Sequence, residues 1–353
     1  MWTDRYWNME AFKLFMVLTI PGICYGINTY DLPLTGMTSL VTPELNFDWL
    51  VFKKTYNKTY ANTDEEIRRR LYWEDTGRFI EKHNHKYERG EVTFTVGENA
   101  FADMAEDEFE DIYMNGLVVP NEAEEEMGTF YGPVEDTMVS QDWREQKIVT
   151  PVRNQGSCGS CWAFASVGAI ESAHAKKTGQ MLDLSEQNLL DCNRGNRGNW
   201  GCRGGWMNIA FNYLKGTSGI DDERCYPYIG RESACRYRRD CARVRITGYT
   251  SVNKDESSLQ YAVGKYGPVA IAMDTNNREF WYYKTGIYYQ AVCNRRRPTH
   301  AMLIVGFKRY RSGEAWIIKN SWGTSWGYNG YLYLAKNRGD TCGVTLHASY
   351  PHV

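Results

Sequence analysis

The hydrophobic pattern changes along the chain, from helical spacing in the first two thirds to short strand-like runs in the last third. The longest periodic run begins at Cys161 and stops at Gly179, a residue type that favours helix ends. A following short helix has Ser185 in position to cap it. The predicted helices are Leu45–Phe52, Asp64–Asn84, Cys161–Thr178, Glu186–Asp191 and Asn208–Lys215.

Beyond about Tyr249 the apolar residues come in short runs bounded by Gly, Pro and Asn, which is typical of strands. A helical half followed by a strand-rich half predicts an α+β fold of two packed lobes with a cleft between them. We expect the helical lobe at about 147–245 and the strand-rich lobe at about 246–353. The predicted strands are Val269–Met273, Gly286–Tyr289, Ala301–Val305, Ala315–Lys319 and Gly330–Leu334.

The N-terminus has the pattern of a secretory signal. Lys13–Ile20 is an apolar core behind a lysine, too short to span a bilayer, and Gly26 is a small residue at a suitable cleavage point. We therefore predict a signal peptide at 1–26, with translation starting at Met1 or Met9. No later stretch is long enough to cross a membrane, and ten cysteines suit an oxidising compartment. These features predict the secretory pathway, with a lysosomal or extracellular destination.

Charge divides the chain into two parts of opposite sign. Residues 1–136 carry a net charge of −14 and residues 137–353 a net charge of +12. This predicts an acidic prosegment at 27–136 on a basic body at 137–353, although two independently solvated surfaces would give the same totals. The acidic stretch 120–133 reads as an exposed linker, and we expect cleavage between Glu126 and Val139. Asn57-Lys-Thr59 is a glycosylation sequon in the acidic part.

Candidate chemistry centres on Cys161, which stands at the start of a predicted helix. The unpaired N–H groups and the positive dipole end of a helix N-terminus favour thiolate, the reactive form of cysteine. His300 opens a predicted strand and is the candidate general base. Asn320 could orient its imidazole under the cover of Trp322, or could simply open a turn. Gln155 offers side-chain donors that would form an oxyanion hole with the backbone N–H of Cys161.

The run Cys158-Gly-Ser-Cys161-Trp162 resembles the signature of papain-like proteases, and Asn320-Ser-Trp-Gly323 resembles a second segment of that family. The acidic part is similar to the prosegment of cathepsin L-type zymogens in two motifs. The second motif is Gly97-Glu-Asn-Ala-Phe-Ala-Asp103, and in the first Thr76 stands where the family has Asn. The matching positions of the first motif are Glu65, Arg69, Trp73, Ile80 and Asn84.

The resemblance implies a papain-like two-lobe fold with its active site in the cleft, preceded by a mostly helical inhibitory propeptide. It implies the disulfides Cys158–Cys202, Cys192–Cys235 and Cys293–Cys342. The remaining pair, Cys225 and Cys241, is expected to form a fourth bridge that is atypical of the family. Gly204 and Gly205 should pair with the substrate backbone. Trp206 and Met207 should line an apolar subsite for the substrate residue two positions before the cut. Thr299, Ala301, Trp322 and His347 complete the implied substrate-binding set.

Two features depart from the family. His347 falls at the base of the implied subsite, where it is either passive or makes side-chain preference pH-dependent by titrating near 6.5. Arg295-Arg-Arg297 precedes His300 and is either a solvated face or a group that attracts acidic substrates and lowers the pKa of the imidazolium.

The expected function is hydrolysis of peptide bonds by a cysteine endopeptidase, through a thiolate–imidazolium pair and an acyl-enzyme thioester. We expect an acid-activated zymogen that needs no cofactor or metal, acts as a monomer on protein and peptide substrates, and is inhibited by its own propeptide. Acidic glycans or acidic proteins are possible further partners, and nucleic acid is not expected.

Other readings stay open. A Cys-x-x-Cys pair can be a redox dithiol or half of a zinc site, although a second closely spaced ligand pair is missing from the sequence. A catalytically idle homologue serving as a binding or inhibitor module, and a peptide ligase that uses the same thioester, are further alternatives. Exopeptidase action is disfavoured because the chain lacks a paired-histidine insertion that would block the cleft.

Overall fold

The computed structural model describes residues 41–119, 129–130, 139–195 and 199–353, with side chains of 129–130 left out. The predicted signal peptide and nearly all of the predicted processing region therefore lie outside the described residues. No helix among the described residues combines the length and the apolar character needed to cross a bilayer.

Residues 41–119, here called the acidic segment, are mainly helical. Both predicted helices are present and each is longer than expected. The side chain of Asn62 caps the second by accepting from the backbone N–H of Glu65 at 2.9 Å. The segment contains α1 (Asn46–Thr55), α2 (Thr63–Glu88), β1 (Phe94–Val96) and α3 (Glu106–Phe109), with a 3₁₀ turn at Pro43–Leu45 and a π turn at Glu110–Met114.

The helices of the basic part begin and end close to the predicted residues. The first stops at Gly179, whose φ of 74° is the left-handed conformation that glycine adopts without strain. Ser185 caps the second by accepting from the N–H of Asn188 at 2.9 Å. The helices Glu256–Tyr266 and Arg278–Trp281 were not predicted from the sequence. The helices are α4 (Cys161–Thr178), α5 (Glu186–Cys192), α6 (Met207–Lys215), α7 (Glu256–Tyr266) and α8 (Arg278–Trp281), with 3₁₀ turns at Gly201–Arg203 and Thr341–Gly343.

The largest sheet of the described residues has eight strands in the order β11-β10-β9-β7-β12-β6-β2, with β3 also paired to β9. Its pairs are antiparallel except β2–β6. A second sheet pairs β4 with β5, and a third pairs β1 with β8. The strands are β2 (Thr129–Phe130), β3 (Gln141–Asp142), β4 (Ile220–Asp221), β5 (Ala242–Val244), β6 (Gly248–Val252), β7 (Val269–Met273), β8 (Tyr283–Gly286), β9 (His300–Tyr310), β10 (Gly313–Lys319), β11 (Tyr331–Ala335) and β12 (Ala348–His352).

The predicted strand Gly286–Tyr289 is wrong, because the strand ends where it was expected to begin. β8 stops at Gly286, which has a φ of 94°. A Cβ atom there would lie 2.5 Å from the carbonyl oxygen of Thr93. β8 instead pairs antiparallel with β1 of the acidic segment, from Phe94 opposite Gly286 to Val96 opposite Tyr283. The pairing with β1, which is distant in the sequence, thus determines where β8 ends. The local hydrophobic pattern around Gly286 cannot reveal that pairing.

Two apolar cores hold the described chain together. The first joins the acidic segment to the strand-rich half through Trp49, Trp73 and Phe94 on one side and Tyr283 and Trp322 on the other. The second lies between α4 and the sheet, where rows of small side chains allow a close approach. Its small members include Ala163, Ala169, Ala270, Ala272 and Ala301. Helical and strand-rich halves therefore pack face to face, and the acidic segment packs on the strand-rich half.

Candidate active site

Cys161 is the first residue of α4 and is fully buried. Its sulphur accepts from the backbone N–H groups of Cys161, Trp162 and Ala301. Because Ala301 follows His300 directly on β9, the sulphur of the helical half lies beside the residue that carries the candidate base. Among the described residues Cys161 is the free cysteine.

His300 opens β9 and is oriented by Asn320. The distance between His300 Nε2 and Asn320 Oδ1 is 2.7 Å. The indole of Trp322 lies over the imidazole, with ring centroids 4.7 Å apart. His300 Nδ1 is buried and makes no hydrogen bond within the described chain, so it is the ring nitrogen available for chemistry. The amide of Asn320 and the indole of Trp322 therefore both lie against the ring of the candidate base.

Gln155 connects the two halves next to the sulphur. Its backbone N–H donates to Ser321 O at 2.8 Å, and its Oε1 accepts from Ser321 Oγ at 2.6 Å. Its Nε2 donates to Cys158 O at 2.8 Å. The amide group is therefore held rigidly, with one of its two N–H bonds used in this contact.

The charge state differs from the sequence expectation. Burial raises the pKa of the Cys161 thiol to about 12, against the lowering effect of the backbone N–H groups that point at it. Burial also lowers the pKa of His300 to about 4, and the hydrogen bond with Asn320 acts in the opposite direction. Loss of water thus outweighs the helix N-terminus here, and this closed form favours an uncharged thiol and imidazole.

The acidic segment lies in the groove over the sulphur. Cys161 Sγ is 3.6 Å from Gly116 O, and a Cβ atom on Gly116 would come within 2.9 Å of that sulphur. Leu117 forms a parallel bridge with Gly205: the N–H of Gly205 donates to Gly116 O and the N–H of Val118 donates to Gly205 O, both at 3.2 Å. The backbone edge expected to hold a substrate therefore holds part of the same chain.

Trp322 is covered by the same segment. Its indole meets the rings of Phe101, Phe109 and Tyr113 edge-on, each at a centroid distance of 5.5 Å. Because Trp322 in turn covers His300, this aromatic cluster closes the site on the side of the strand-rich half.

The motif positions of the acidic segment anchor this arrangement. Arg69 pairs with Glu65 and, through both guanidinium N–H₂ groups, with Glu108. Asn84 exchanges hydrogen bonds with the backbone of Val96 at 2.9 and 3.0 Å. The other motif contacts are Trp73 with Glu98, Asn99 with Trp281 O, Asp103 with Lys58 and Tyr60, and the atypical Thr76 with Tyr282 OH at 3.4 Å.

The expected apolar subsite needs correction. Trp206 and Met207 are almost fully buried, and the Trp206 indole meets the His347 ring edge-on at 5.0 Å. The cavity that these three residues share has a volume of about 260 Å³, and most of its other side chains are polar. Burial and nearby Lys254 lower the pKa of His347 to about 4, so the expected titration near 6.5 does not apply to this form.

The remaining implied substrate residues lie near the site in different settings. Thr299 Oγ1 accepts from the N–H of Thr275 at 2.9 Å, so its side chain is committed to the neighbouring strand end. Ala301 lies opposite Ala272 in the sheet. Arg295-Arg-Arg297 is exposed, and these guanidiniums are not among the groups that shift the pKa of His300.

The eight other cysteines of the described chain form the four pairs named in the sequence analysis. Cys158 pairs with Cys202, so the Cys-x-x-Cys motif is not a dithiol pair. The atypical Cys225–Cys241 bridge is also present. The remaining bridges are Cys192–Cys235 and Cys293–Cys342.

Sequence reasoning missed several residues that position the site. Tyr228 OH donates to Gln155 O at 2.8 Å and lies 2.7 Å from Ser160 Oγ, which braces the loop before Cys161. Asn199 accepts from the N–H of Trp206 at 2.7 Å and fixes the subsite wall. Neither belongs to a periodic pattern, so no local signal marked them.

Comparison with known proteins agrees with this geometry. Residues 138–352 match the papain family cysteine protease, and residues 49–109 match the cathepsin propeptide inhibitor domain. Digestive cysteine proteinase 2 of Homarus americanus is 40% identical over 309 residues, 86% of this chain and 94% of that protein. Procathepsin L of Rattus norvegicus is 40% identical over 326 residues, 90% of this chain and 96% of that protein.

Solved structures show the same likeness. A digestive procathepsin L 3 of the Tenebrio molitor larval midgut superposes with a TM-score of 0.82 at 38% identity, covering 88% of this chain and 100% of that one. The chain belongs to the papain family of cysteine proteases. Within that family it is a cathepsin L-like protease, and the acidic segment contains its propeptide inhibitor domain, so the whole chain is a zymogen.

Proposed function

We propose that this zymogen yields an endopeptidase in which Cys161 attacks the peptide carbonyl and His300 transfers the protons. The observation that supports this most directly is the position of the Cys161 sulphur at a helix N-terminus, beside the residue whose imidazole Asn320 orients at 2.7 Å. Nucleophile, base and orienting group meet across two halves of the chain, as acyl transfer requires.

The reaction follows from these positions. Removal of the propeptide readmits water and lets the thiol proton pass to His300 Nδ1, giving a thiolate and an imidazolium. The sulphur then forms a bond to the carbonyl carbon, while the Cys161 N–H and a Gln155 N–H stabilise the oxyanion. The imidazolium protonates the departing amine as the C–N bond breaks, which leaves a thioester. Water, deprotonated by His300, hydrolyses that thioester and restores the thiol.

The groove favours cleavage within a chain. The propeptide backbone leaves the π turn at Glu110–Met114, passes the Cys161 sulphur at Gly116 and continues to Val118, and both Gly116 and Val118 pair with Gly205. A groove that admits a continuous backbone admits the interior of a substrate. Acid-treated zymogen should therefore hydrolyse an internally quenched peptide that is blocked at both ends. Processing of unblocked peptides alone would contradict the endopeptidase proposal.

Acid should release the propeptide through two kinds of group. The partners Arg68 and Lys53 lower the pKa values of Glu65 and Glu66, so their contributions are present above about pH 4.5 and disappear as the pH falls through the lowered pKa values. Burial lowers the pKa of His83, so the stability it provides is full above about pH 6.5 and is lost as the pH falls below that value.

His83 gives a specific test of acid activation. It is buried, its Nε2 lies 3.1 Å from Phe94 O, and its ring centroid lies 4.7 Å from that of the tilted Phe94 ring, next to the β1–β8 pairing. His83→Gln keeps a donor but cannot gain charge, so we expect the onset of activation to move to lower pH by about half a unit or more. His85→Gln is the matched control, because His85 lies on the same helix with an exposed side chain. Activation rates measured from pH 4 to 7 would contradict this role if both variants shift equally or neither shifts.

The cellular route is part of the proposal. The N-terminal signal pattern and the bridges among eight cysteines suit the secretory pathway, with a lysosomal or extracellular end point. Asn57 is exposed, as a glycosylated residue must be. The exposed Arg295-Arg-Arg297 run would contact acidic glycans or acidic proteins. A binding affinity that does not change with salt concentration between about 50 and 500 mM would contradict this contact.

A further inference from the structure

The cavity beside Trp206 lies directly after the backbone edge that holds an extended peptide. Trp206 and Met207 follow Gly205 in the chain, and both line the cavity. His347 forms another part of the wall, and its carbonyl accepts from the N–H of Ala272 at 3.0 Å. Ala272 lies opposite Ala301 in the sheet, so the cavity wall is one strand away from the candidate base.

Two buried polar atoms of this cavity lack a partner. Ser251 Oγ and His347 Nδ1 are buried and make no hydrogen bond within the described residues. Lys254 is exposed and lines the same cavity, and its ammonium has no ion-pair partner in the described part of the chain. An unsatisfied hydroxyl donor, an imidazole nitrogen that can donate in one of its tautomers and one cation surround a single space, and they match a ligand that carries an acceptor with negative charge.

No carboxylate opposes this positive character. None of the described residues that line the cavity is Asp or Glu; they are Trp206, Met207, Asn208, Ser251, Val252, Asn253, Lys254, Leu346, His347 and Ala348. The neighbouring Asp255 is occupied with capping α7, where it accepts from the N–H of Ser258 at 2.7 Å and from Ser257 Oγ at 2.5 Å.

The charge of the cavity comes from Lys254 and not from His347. Since burial and Lys254 hold the pKa of His347 at about 4, its imidazole is a neutral hydrogen-bonding group between pH 5 and 7. Leu117 packs against the apolar cluster that contains Trp206 and is not among the lining residues, whereas β2 lies beside the cavity wall through its pairing with Ser251 and Val252.

We propose that this cavity binds the acidic side chain of the substrate residue two positions before the cut, and that Lys254 selects it. The proposal rests on the protease function proposed above, because the acidic side chain belongs to a peptide paired with Gly205. In this arrangement, the Lys254 ammonium and the Ser251 hydroxyl donate hydrogen bonds to the substrate carboxylate, and His347 forms the base of the cavity. An acid-selective enzyme is therefore expected where the sequence predicted an apolar subsite.

The test compares two internally quenched peptides that differ only in Glu or Gln at that position. Activated wild-type enzyme should give a higher kcat/KM for the Glu peptide. Lys254→Gln should lower the Glu-to-Gln ratio about tenfold, the range for a hydrogen bond to a charged group. Lys254→Arg should retain most of the ratio. Lys308→Gln is the matched control, because it removes an exposed lysine at the far end of β9, and its ratio should equal that of the wild type.

The outcomes separate the two proposals. If the activated wild type cleaves neither peptide nor any other blocked peptide, the protease function fails. If it cleaves both with a ratio that Lys254→Gln leaves within twofold of the wild type, the function stands and the role of Lys254 is overturned. A wild type that prefers Gln over Glu would overturn it as well.

Discussion

Cys161→Ala should lower kcat/KM on blocked peptides by about 10⁴-fold or more, because no other group can form the thioester. Cys161 is the free thiol of the described chain, and the N–H groups around its sulphur are fixed by α4 and β9. His300→Ala should cost nearly as much, and the double variant little more, since the two groups act as a unit. Activity is measured after cleavage by a trace of wild-type enzyme, since the variants should not process themselves.

The matched control is Ser172→Ala. Ser172 lies on the same helix, and its buried Oγ makes no hydrogen bond within the described residues, so removing it should leave kcat/KM within about twofold. Retention of more than about 1% activity by a fully processed Cys161→Ala variant would exclude this cysteine as the nucleophile.

Arg69→Ala should loosen the propeptide far more than the same change at the adjacent Arg68. The guanidinium joins Glu65 on its own helix to Glu108 on α3 and also donates to Asp103 O at 3.3 Å. Its removal leaves the half-buried Glu108 without its partner and Glu65 with Arg68 alone, at a cost of about 2 kcal/mol after allowing for partial exposure. We therefore expect the zymogen to activate roughly 30-fold faster at pH 5.

Arg68→Ala provides the comparison. Arg68 is adjacent, carries the same charge and, among the described residues, pairs with Glu65 alone, one turn away on the same helix, so its loss should cost about 0.5 kcal/mol or less. Hydrogen exchange across 46–109 at pH 7 should show faster opening in the Arg69 variant alone. Equal exchange and equal activation rates in both variants would mean that the bridge to α3 does not hold the inhibitor domain.

The sequence contained most of the fold because its strongest signals are local. Cys161 begins α4 and Gly179 ends it, as the periodic pattern and the glycine predicted. β7 matches its predicted residues throughout. The β1–β8 sheet, by contrast, depends on residues about 190 positions apart, and neither strand shows a strong alternation of apolar and polar residues. No pattern within one segment can reveal such a partner.

The active site shows the same contrast between features that local sequence predicts and features that depend on the fold. Residue types that imply a reaction, such as Cys161 and Asn320, were found from their neighbours in the chain. Their charge state was not, because it depends on how much water the propeptide removes. The role proposed for Lys254 was missed for a similar reason: the sequence around it carries no motif, and only the fold brings it into the same cavity wall as His347.

The pairing of β1 with β8 has a consequence for the processed enzyme. Once the propeptide leaves, Tyr283–Gly286 loses its neighbour and presents unpaired backbone donors and acceptors at the surface. Phe94, which contacts Tyr283 and Tyr288, also withdraws and leaves those rings more accessible. Maturation thus exposes an unpaired strand edge on the catalytic domain. A strand from another protein could pair with this edge in the mature form but not in the zymogen, where β1 occupies it.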